Sequence, residues 1–164
     1  MPHTPMTGAI DVFCVGDSTT KGTLLTGPQL PDNLSQAYRL ALSDALQADI
    51  IGGDIPPGVS FTFVGPNNFG SAPSNNCYAV SGITTAGSFV GMPVACQSVT
   101  GSQVVVIMYL GLNDVNDIPI AEFPLNYLSA VRRLHNLLRD KNPRFVFSLL
   151  NSAWNPSGVD PFRS

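Results

Sequence analysis

The chain has 164 residues, of which 44% are apolar and only 12% are charged. This length suits one domain, and the apolar content is high enough for a sizeable core, which argues against a disordered protein. The net charge is −3 and the eight Lys and Arg residues form no basic stripe, so no nucleic-acid partner is expected. No segment approaches the length of a membrane span, so no membrane association is expected either.

The first predicted element is a buried strand at residues 10–15, an apolar run that ends at Gly16. Loop residues follow, and a helix is predicted from about Leu34, where apolar residues recur with helical spacing. The apolar positions of this helix are Leu34, Ala37, Tyr38, Ala41, Leu42, Ala45 and Leu46. Asp32 or Asn33 can cap its first turn.

The middle of the chain predicts two further strands separated by loops. Residues 59–64 alternate and are β-branched or aromatic, which is typical of a strand. Residues 65–76 are predicted to form a polar loop, and residues 78–91 are also small and Gly-rich. Residues 104–110 are seven consecutive apolar residues, which indicates a central parallel strand buried on both faces.

A second helix is predicted at about residues 124–140, and Asn142-Pro143 ends it. Its inner face is formed by Leu128, Val131, Leu134 and Leu138, with His135 on or beside this stripe. Residues 145–150 are the last predicted strand, and residues 151–164 an irregular tail. Strands that alternate with helices predict a three-layer α/β sandwich, a mostly parallel sheet with flanking helices, as one domain over residues 1–164 with a core of about 10–150.

In an open parallel sheet, catalytic groups collect at the carboxyl ends of the strands. Gly-Asp-Ser at residues 16–18 follows the first strand, Gly-Leu-Asn-Asp at 111–114 follows the central one, and a Gly-rich loop with Gly82 lies between them in the chain. A serine at a strand-to-helix turn is a candidate nucleophile, and glycine N–H and asparagine amide groups can donate to an oxyanion. Each motif alone is an ordinary turn, but all three in this order indicate acyl transfer.

With these motifs the chain resembles the SGNH, or GDSL, hydrolase family over roughly residues 10–150. The resemblance implies a flavodoxin-like fold, with Ser18 as nucleophile and an oxyanion hole made by the Ser18 N–H, the Gly82 N–H and the Asn113 side chain. It also implies ester hydrolysis without a metal or organic cofactor. The motifs look most like the microbial carbohydrate-esterase branch, which deacetylates polysaccharides, so the expected partner is a small-molecule or carbohydrate ester.

The chain departs from the family in one signature, an Asp-x-x-His near the C-terminus whose His acts as the general base. His3 precedes the first strand, and His135 has an arginine three residues before it. Asp160 is followed three residues later by Arg163. Without a base, the Ser18 hydroxyl is a poor nucleophile near neutral pH.

Three interpretations of the missing pair stay open. We expect a truncated product, because the family would continue beyond residues 145–150; a binding-only relative and completion by another chain are the alternatives. Truncation would leave part of the last strand without cover, so exposure is expected at Phe147, Leu149 and Leu150.

Other features limit the remaining functions. A nucleotide-binding α/β domain is disfavoured, because residues 16–22 contain neither of the Gly-rich phosphate-binding patterns. A non-catalytic carbohydrate- or ester-binding module remains the alternative function.

Cys14 is expected to be a buried, inert thiol, and a Cys77–Cys96 bridge would need an oxidising compartment. The N-terminus lacks signal-peptide features, while the family resemblance favours secretion.

Overall fold

The structure is a computed structural model that describes residues 5–22, 38–69, 73–114 and 122–147. In chain order its strands are β1 (Ala9–Gly16), β2 (Ser60–Val64), β3 (Asn67–Asn68), β4 (Asn76–Ala79), β5 (Val104–Tyr109) and β6 (Pro143–Phe147). Its helices are α1 (Ser18–Lys21), α2 (Tyr38–Gly52), α3 (Met92–Cys96) and α4 (Phe123–Leu138). Short 3-10 turns lie at Pro73–Asn75, Gly87–Phe89 and Arg139–Lys141.

Strand β1 is the centre of the sheet. It pairs in parallel with β5 on one side, and on the other side with β2 along its first half and with β4 at its end. β6 extends the sheet in parallel beyond β5, and β3 pairs antiparallel with β4. The prediction of a mostly parallel sheet is therefore confirmed.

The side chains of β1 alternate between two cores. Val12 and Cys14 pack on the side where α2 supplies Leu42 and Leu46. Phe13 and Val15 point to the opposite side, where residues of α3 and α4 complete the larger cluster. Because successive strand residues face opposite sides, helices cover both faces, and the predicted three-layer arrangement is confirmed. Each large apolar side chain buried in these layers stabilises the fold by about 1.5–3 kcal/mol.

Most predicted elements are present with shifted ends. The strands predicted at 10–15, 59–64 and 104–110 are β1, β2 and β5. The first predicted helix is described from Tyr38 and runs on to Gly52, while residues 32–37 lie outside the described residues. The last strand begins earlier than predicted, and residues 148–150 lie outside the described part of the chain.

Three elements were not predicted from the sequence, namely β3, β4 and α3. Each has five residues or fewer, too few for a periodic pattern to appear in the sequence. The end of β4 forms because the parallel edge of β1 pairs with it. The central strand β5 also differs from expectation, because Val104, Val106 and Met108 are fully buried whereas the residues between them are only half-buried.

The inner face of α4 is corrected as well. Leu134 and Leu138 are buried as predicted, and Val131 packs against the same core, but Leu128 is 44% exposed and His135 is exposed. Ala130 takes the buried position instead. Leu128 lies two residues before Ala130, about 200° around the helix, so the two cannot share one face.

The end of β6 is an apolar surface. Val146 is 51% and Phe147 45% exposed, which confirms the prediction for Phe147; Leu149 and Leu150 lie outside the described residues. Within the described ranges only β5 pairs with β6.

The three cysteines are free and buried. The possible Cys77–Cys96 bridge is thus not formed, and the inert state expected for Cys14 is confirmed. Burial raises the pKa of the Cys14 thiol to about 12 and the pKa values of Cys77 and Cys96 to about 11, so all three are neutral near pH 7. Within the described residues no helix is long and apolar enough to cross a membrane, and no His, Cys, Asp and Glu cluster is suited to a metal ion.

One fully buried cation joins α2 to the loops at the sheet. The Arg39 guanidinium donates through Nε to the Thr20 carbonyl at 2.8 Å, through Nη2 to the Lys21 carbonyl at 3.3 Å, and through Nη1 to the Ser74 carbonyl. Thr20 and Lys21 are the last residues of α1. A cation favours the carbonyl end of a helix, so Arg39 fixes the turn of helix that follows β1.

We expect Arg39→Met to lower the free energy of unfolding by about 3 kcal/mol, because three carbonyls, two of them in buried contacts, lose a charged donor. Arg132→Met on the exposed face of α4 removes the same charge and should change it by less than about 0.5 kcal/mol. Urea denaturation of both variants measures the difference. Equal stabilities would show that the buried guanidinium does not hold these segments together.

Candidate active site

Three loops leave the sheet side by side at its carboxyl edge. The pairing of β1 sets Gly16 opposite Ala79 of β4 and opposite Tyr109 of β5. The Val80 N–H continues the pairing by donating to the Gly16 carbonyl at 3.2 Å. The three loops therefore start from one line across the sheet. Ser18, Gly82 and Asn113 lie two to four residues beyond these paired positions.

Ser18 is the first residue of α1, as the strand-to-helix prediction required. The Asp17 side chain caps this helix by accepting from the Thr19 N–H at 2.9 Å. Gly16 has no room for a side chain, because an added Cβ would lie 1.9 Å from Thr20 Oγ1 and 2.6 Å from the Tyr109 carbonyl oxygen. The glycine therefore lets the turn fold back tightly on the sheet, and Ser18 is left 7% exposed.

Gly82 lies in a turn directly after β4. The Ile83 N–H closes this turn by donating to the Val80 carbonyl at 3.2 Å. Gly82 is its third residue and has a φ of +74°, a conformation that a type II turn assigns to glycine. Nothing lies within 4 Å of where its Cβ would be, so the backbone is open on that side.

Asn113 lies in a second turn, in which the Asp114 N–H donates to the Gly111 carbonyl at 3.2 Å. Asn113 Nδ2 donates to the Ile83 carbonyl at 3.0 Å and to Asp17 Oδ2 at 3.3 Å. One amide thus contacts the residue after Gly82 and the residue before Ser18. The structure brings together the three loops that carry the predicted site residues.

Burial governs the ionisation of this region. Burial raises the pKa of the Asp17 carboxyl above its usual value, the bond from Thr19 opposes this rise, and the charge of Asp114 adds to it. Burial also raises the pKa of the Tyr109 hydroxyl, with a further contribution from Asp17. Tyr109 is therefore a neutral neighbour of the site near pH 7.

The contacts that tie the loops to one another were not predicted from the sequence. Asp17 and Asp114 were noted only as members of their motifs, yet both are buried and accept hydrogen bonds from the loops. An aspartate directly after an apolar strand was an available signal for a capping role. The long-range partner of Asp17 is the Asn113 amide, and only the pairing of the strands brings the two together.

Within the described residues, the one histidine does not lie beside Ser18. His135 is exposed on α4 and stacks on Phe145, with ring centroids 6.4 Å apart. Phe145 pairs with Val106, three residues before the strand end at Tyr109, which corresponds to about 10 Å along the sheet. His3 lies outside the described residues.

Sequence comparison finds no matching protein-family model and no matching curated protein. Among solved structures, a family 3 carbohydrate esterase from Clostridium thermocellum superposes with a TM-score of 0.62 at 20% identity, over 85% of this chain and 60% of that one. The chain has the fold of the SGNH/GDSL esterases. A family 3 carbohydrate esterase from Talaromyces cellulolyticus has the same fold, with a TM-score of 0.55, 19% identity, and 84% and 60% of the two chains covered.

An acetyl esterase mutant with an acetate ion also has the SGNH/GDSL fold, with a TM-score of 0.59 at 18% identity over 90% of this chain and 66% of that one. At identities of this size, the superpositions show a common fold and nothing more. The chain spans about 60% of the length of the two carbohydrate esterases.

Gly16→Ala tests how closely the loops are packed at the edge of this SGNH fold. We expect it to lower the free energy of unfolding by about 3 kcal/mol, because its Cβ overlaps Thr20 and the Tyr109 backbone. Gly52→Ala is the control: it lies in α2 with its nearest atom 3.6 Å away and should leave stability unchanged or raise it by up to about 1 kcal/mol. A Gly16→Ala protein as stable as Gly52→Ala would contradict the tight turn.

Proposed function

We propose that this chain is a serine hydrolase of the SGNH type that acts on an ester, with Ser18 as nucleophile. The observation that carries the proposal is the Asn113 amide, which bonds to Ile83 beside Gly82 and to Asp17 beside Ser18. Acyl transfer needs a nucleophile and oxyanion donors at one point. The three loops offer these groups within one hydrogen-bonded unit.

In the proposed reaction, Ser18 Oγ attacks the ester carbonyl carbon and forms a tetrahedral oxyanion. The alcohol then leaves with a proton, and water hydrolyses the acyl-serine to release the acid and restore Ser18. The Ser18 N–H, the Gly82 N–H and Asn113 Nδ2 hold the oxyanion. The two N–H groups of Asn113 already donate to Ile83 and Asp17, so the oxyanion replaces the longer bond, the one to Asp17 at 3.3 Å.

A small acyl group on a sugar or a similar alcohol is the proposed substrate. Two of the proteins that share the fold are family 3 carbohydrate esterases, and a third is an acetyl esterase solved with an acetate ion. Serine chemistry of this kind supplies its own nucleophile and calls for no metal or organic cofactor.

A second candidate function follows from the proton of the Ser18 hydroxyl, which a general base would have to accept. Within the described residues the one histidine is His135, which lies away from the carboxyl edge of the sheet. A serine without an imidazole partner retains only a residual rate advantage, about 10³–10⁴-fold over water in a serine protease. A non-catalytic module that binds a carbohydrate or another ester is therefore the alternative.

Hydrolysis of p-nitrophenyl acetate by the wild type and by Ser18→Ala separates the two functions. We expect the wild type to hydrolyse the ester measurably faster than Ser18→Ala, because the Ser18 hydroxyl offers a covalent route that the variant lacks, while both proteins keep the oxyanion donors. The matched control is Ser81→Ala, which removes an exposed hydroxyl next to Gly82 and should keep the wild-type rate.

Equal rates for the wild type and Ser18→Ala would contradict catalysis by this chain. Titration with an acetylated sugar in a calorimeter then tests the binding alternative. If Ser81→Ala lost as much of the rate as Ser18→Ala, the loss would not identify the Ser18 hydroxyl as the nucleophile.

A further inference from the structure

A buried carboxylate joins the turn that carries Asn113 to the loop that carries Gly82. Asp114 is 1% exposed and Thr85 is fully buried. The Thr85 N–H donates to both carboxylate oxygens of Asp114, at 2.8 and 3.1 Å, and the Thr85 hydroxyl donates to Oδ2 at 3.0 Å. We call this pair the Asp114–Thr85 clamp.

The clamp satisfies a group that is costly to bury. A carboxylate buried without partners would be strongly destabilised by its lost solvation, and hydrogen bonds to the carboxylate oxygens offset this loss. Their strength makes the relative position of Thr85 and Asp114 stiff. Thr85 is held from the other side as well, because Ser88 Oγ donates to its carbonyl at 2.6 Å.

Two consecutive residues hold two points of the same loop. Asn113 Nδ2 bonds to the Ile83 carbonyl at 3.0 Å, and the Asp114 carboxylate bonds to Thr85 two residues later. Gly82 directly precedes this doubly held segment. The clamp and the bond from Asn113 to Ile83 together restrain the distance between the Gly82 N–H and the Asn113 amide.

We propose that Asp114 and Thr85 are positioning residues that fix the two loop donors, the Gly82 N–H and the Asn113 amide, relative to each other. The proposal rests on the proposed function for its catalytic consequence. A misplacement of about 1 Å in such a site can lower a rate by about 10²-fold, so the clamp should act on kcat and leave KM unchanged.

The chain supplies a matched control at the other end of the sheet. Asp11 is also a buried carboxylate, and its Oδ2 accepts from the Thr100 N–H at 2.9 Å and from the Gly101 N–H at 2.8 Å. It lies at the start of β1, near the amino edge. Asp11→Asn thus removes the same charge from the same kind of contact without touching the candidate site.

The first measurement is kcat and KM for p-nitrophenyl acetate in the full chain, together with the melting temperature. We expect Asp114→Asn and Thr85→Val to lower kcat by about 10- to 10²-fold at constant KM. Thr85→Ser, which keeps the hydroxyl, should restore most of the rate. Asp11→Asn should lower the melting temperature as much as Asp114→Asn does but keep the wild-type kcat.

The second measurement needs no activity. In ¹H–¹⁵N spectra, Asp114→Asn should shift the signals of the Gly82 N–H and of the Asn113 side-chain NH₂, and Asp11→Asn should leave both in place. Unshifted signals in Asp114→Asn would overturn the proposal even if the wild type proves inactive. An active wild type with equal kcat values in Asp114→Asn and Asp11→Asn would overturn it while leaving the proposed function intact.

Discussion

The parallel register of β1 with β4 and β5 is the constraint on which the candidate site depends. It aligns Gly16, Ala79 and Tyr109 across the sheet, so the three following loops start from one line. A shift by one residue in either pairing would turn the strand's side chains to the opposite face and disrupt the packing of both cores. The packing of β1 between the two cores therefore fixes the site indirectly, through the position at which each strand ends.

Polar contacts then complete what the register begins. Short side chains span the gaps between the loops, with Asn113 between Asp17 and Ile83, and Asp114 against Thr85. Arg39 of α2 in addition fixes the end of α1. Because Asp17, Asp114 and Arg39 are buried, their contacts are both strong and costly to lose, which makes the edge of the sheet more rigid than a set of surface loops.

The sequence predicted the parts of this arrangement that repeat a local pattern. The strands β1 and β5 and the helix α4 are long enough for their periodicity to show, and the motifs with Ser18 and Asn113 stand directly after predicted strands. Strand β4 was missed because four residues, Asn76–Ala79, carry no such pattern, and the strand is defined by its pairing with β1 and β3. The buried face of α4 was misassigned at Leu128, since only packing against α3 and β5 distinguishes it from Ala130. The role of Asp114 likewise depends on a partner 29 residues away.

We propose that the loops after β1, β4 and β5 present one nucleophile and one oxyanion site. A crystal structure of the protein treated with ethyl p-nitrophenyl methylphosphonate tests this arrangement, because attack by a serine hydroxyl on phosphorus releases p-nitrophenol and leaves a stable tetrahedral adduct. We expect the phosphonyl group on Ser18 Oγ, with its free oxygen about 3 Å from the Gly82 nitrogen and Asn113 Nδ2. An adduct on another residue, an unmodified Ser18, or an oxygen turned away from both donors would contradict it.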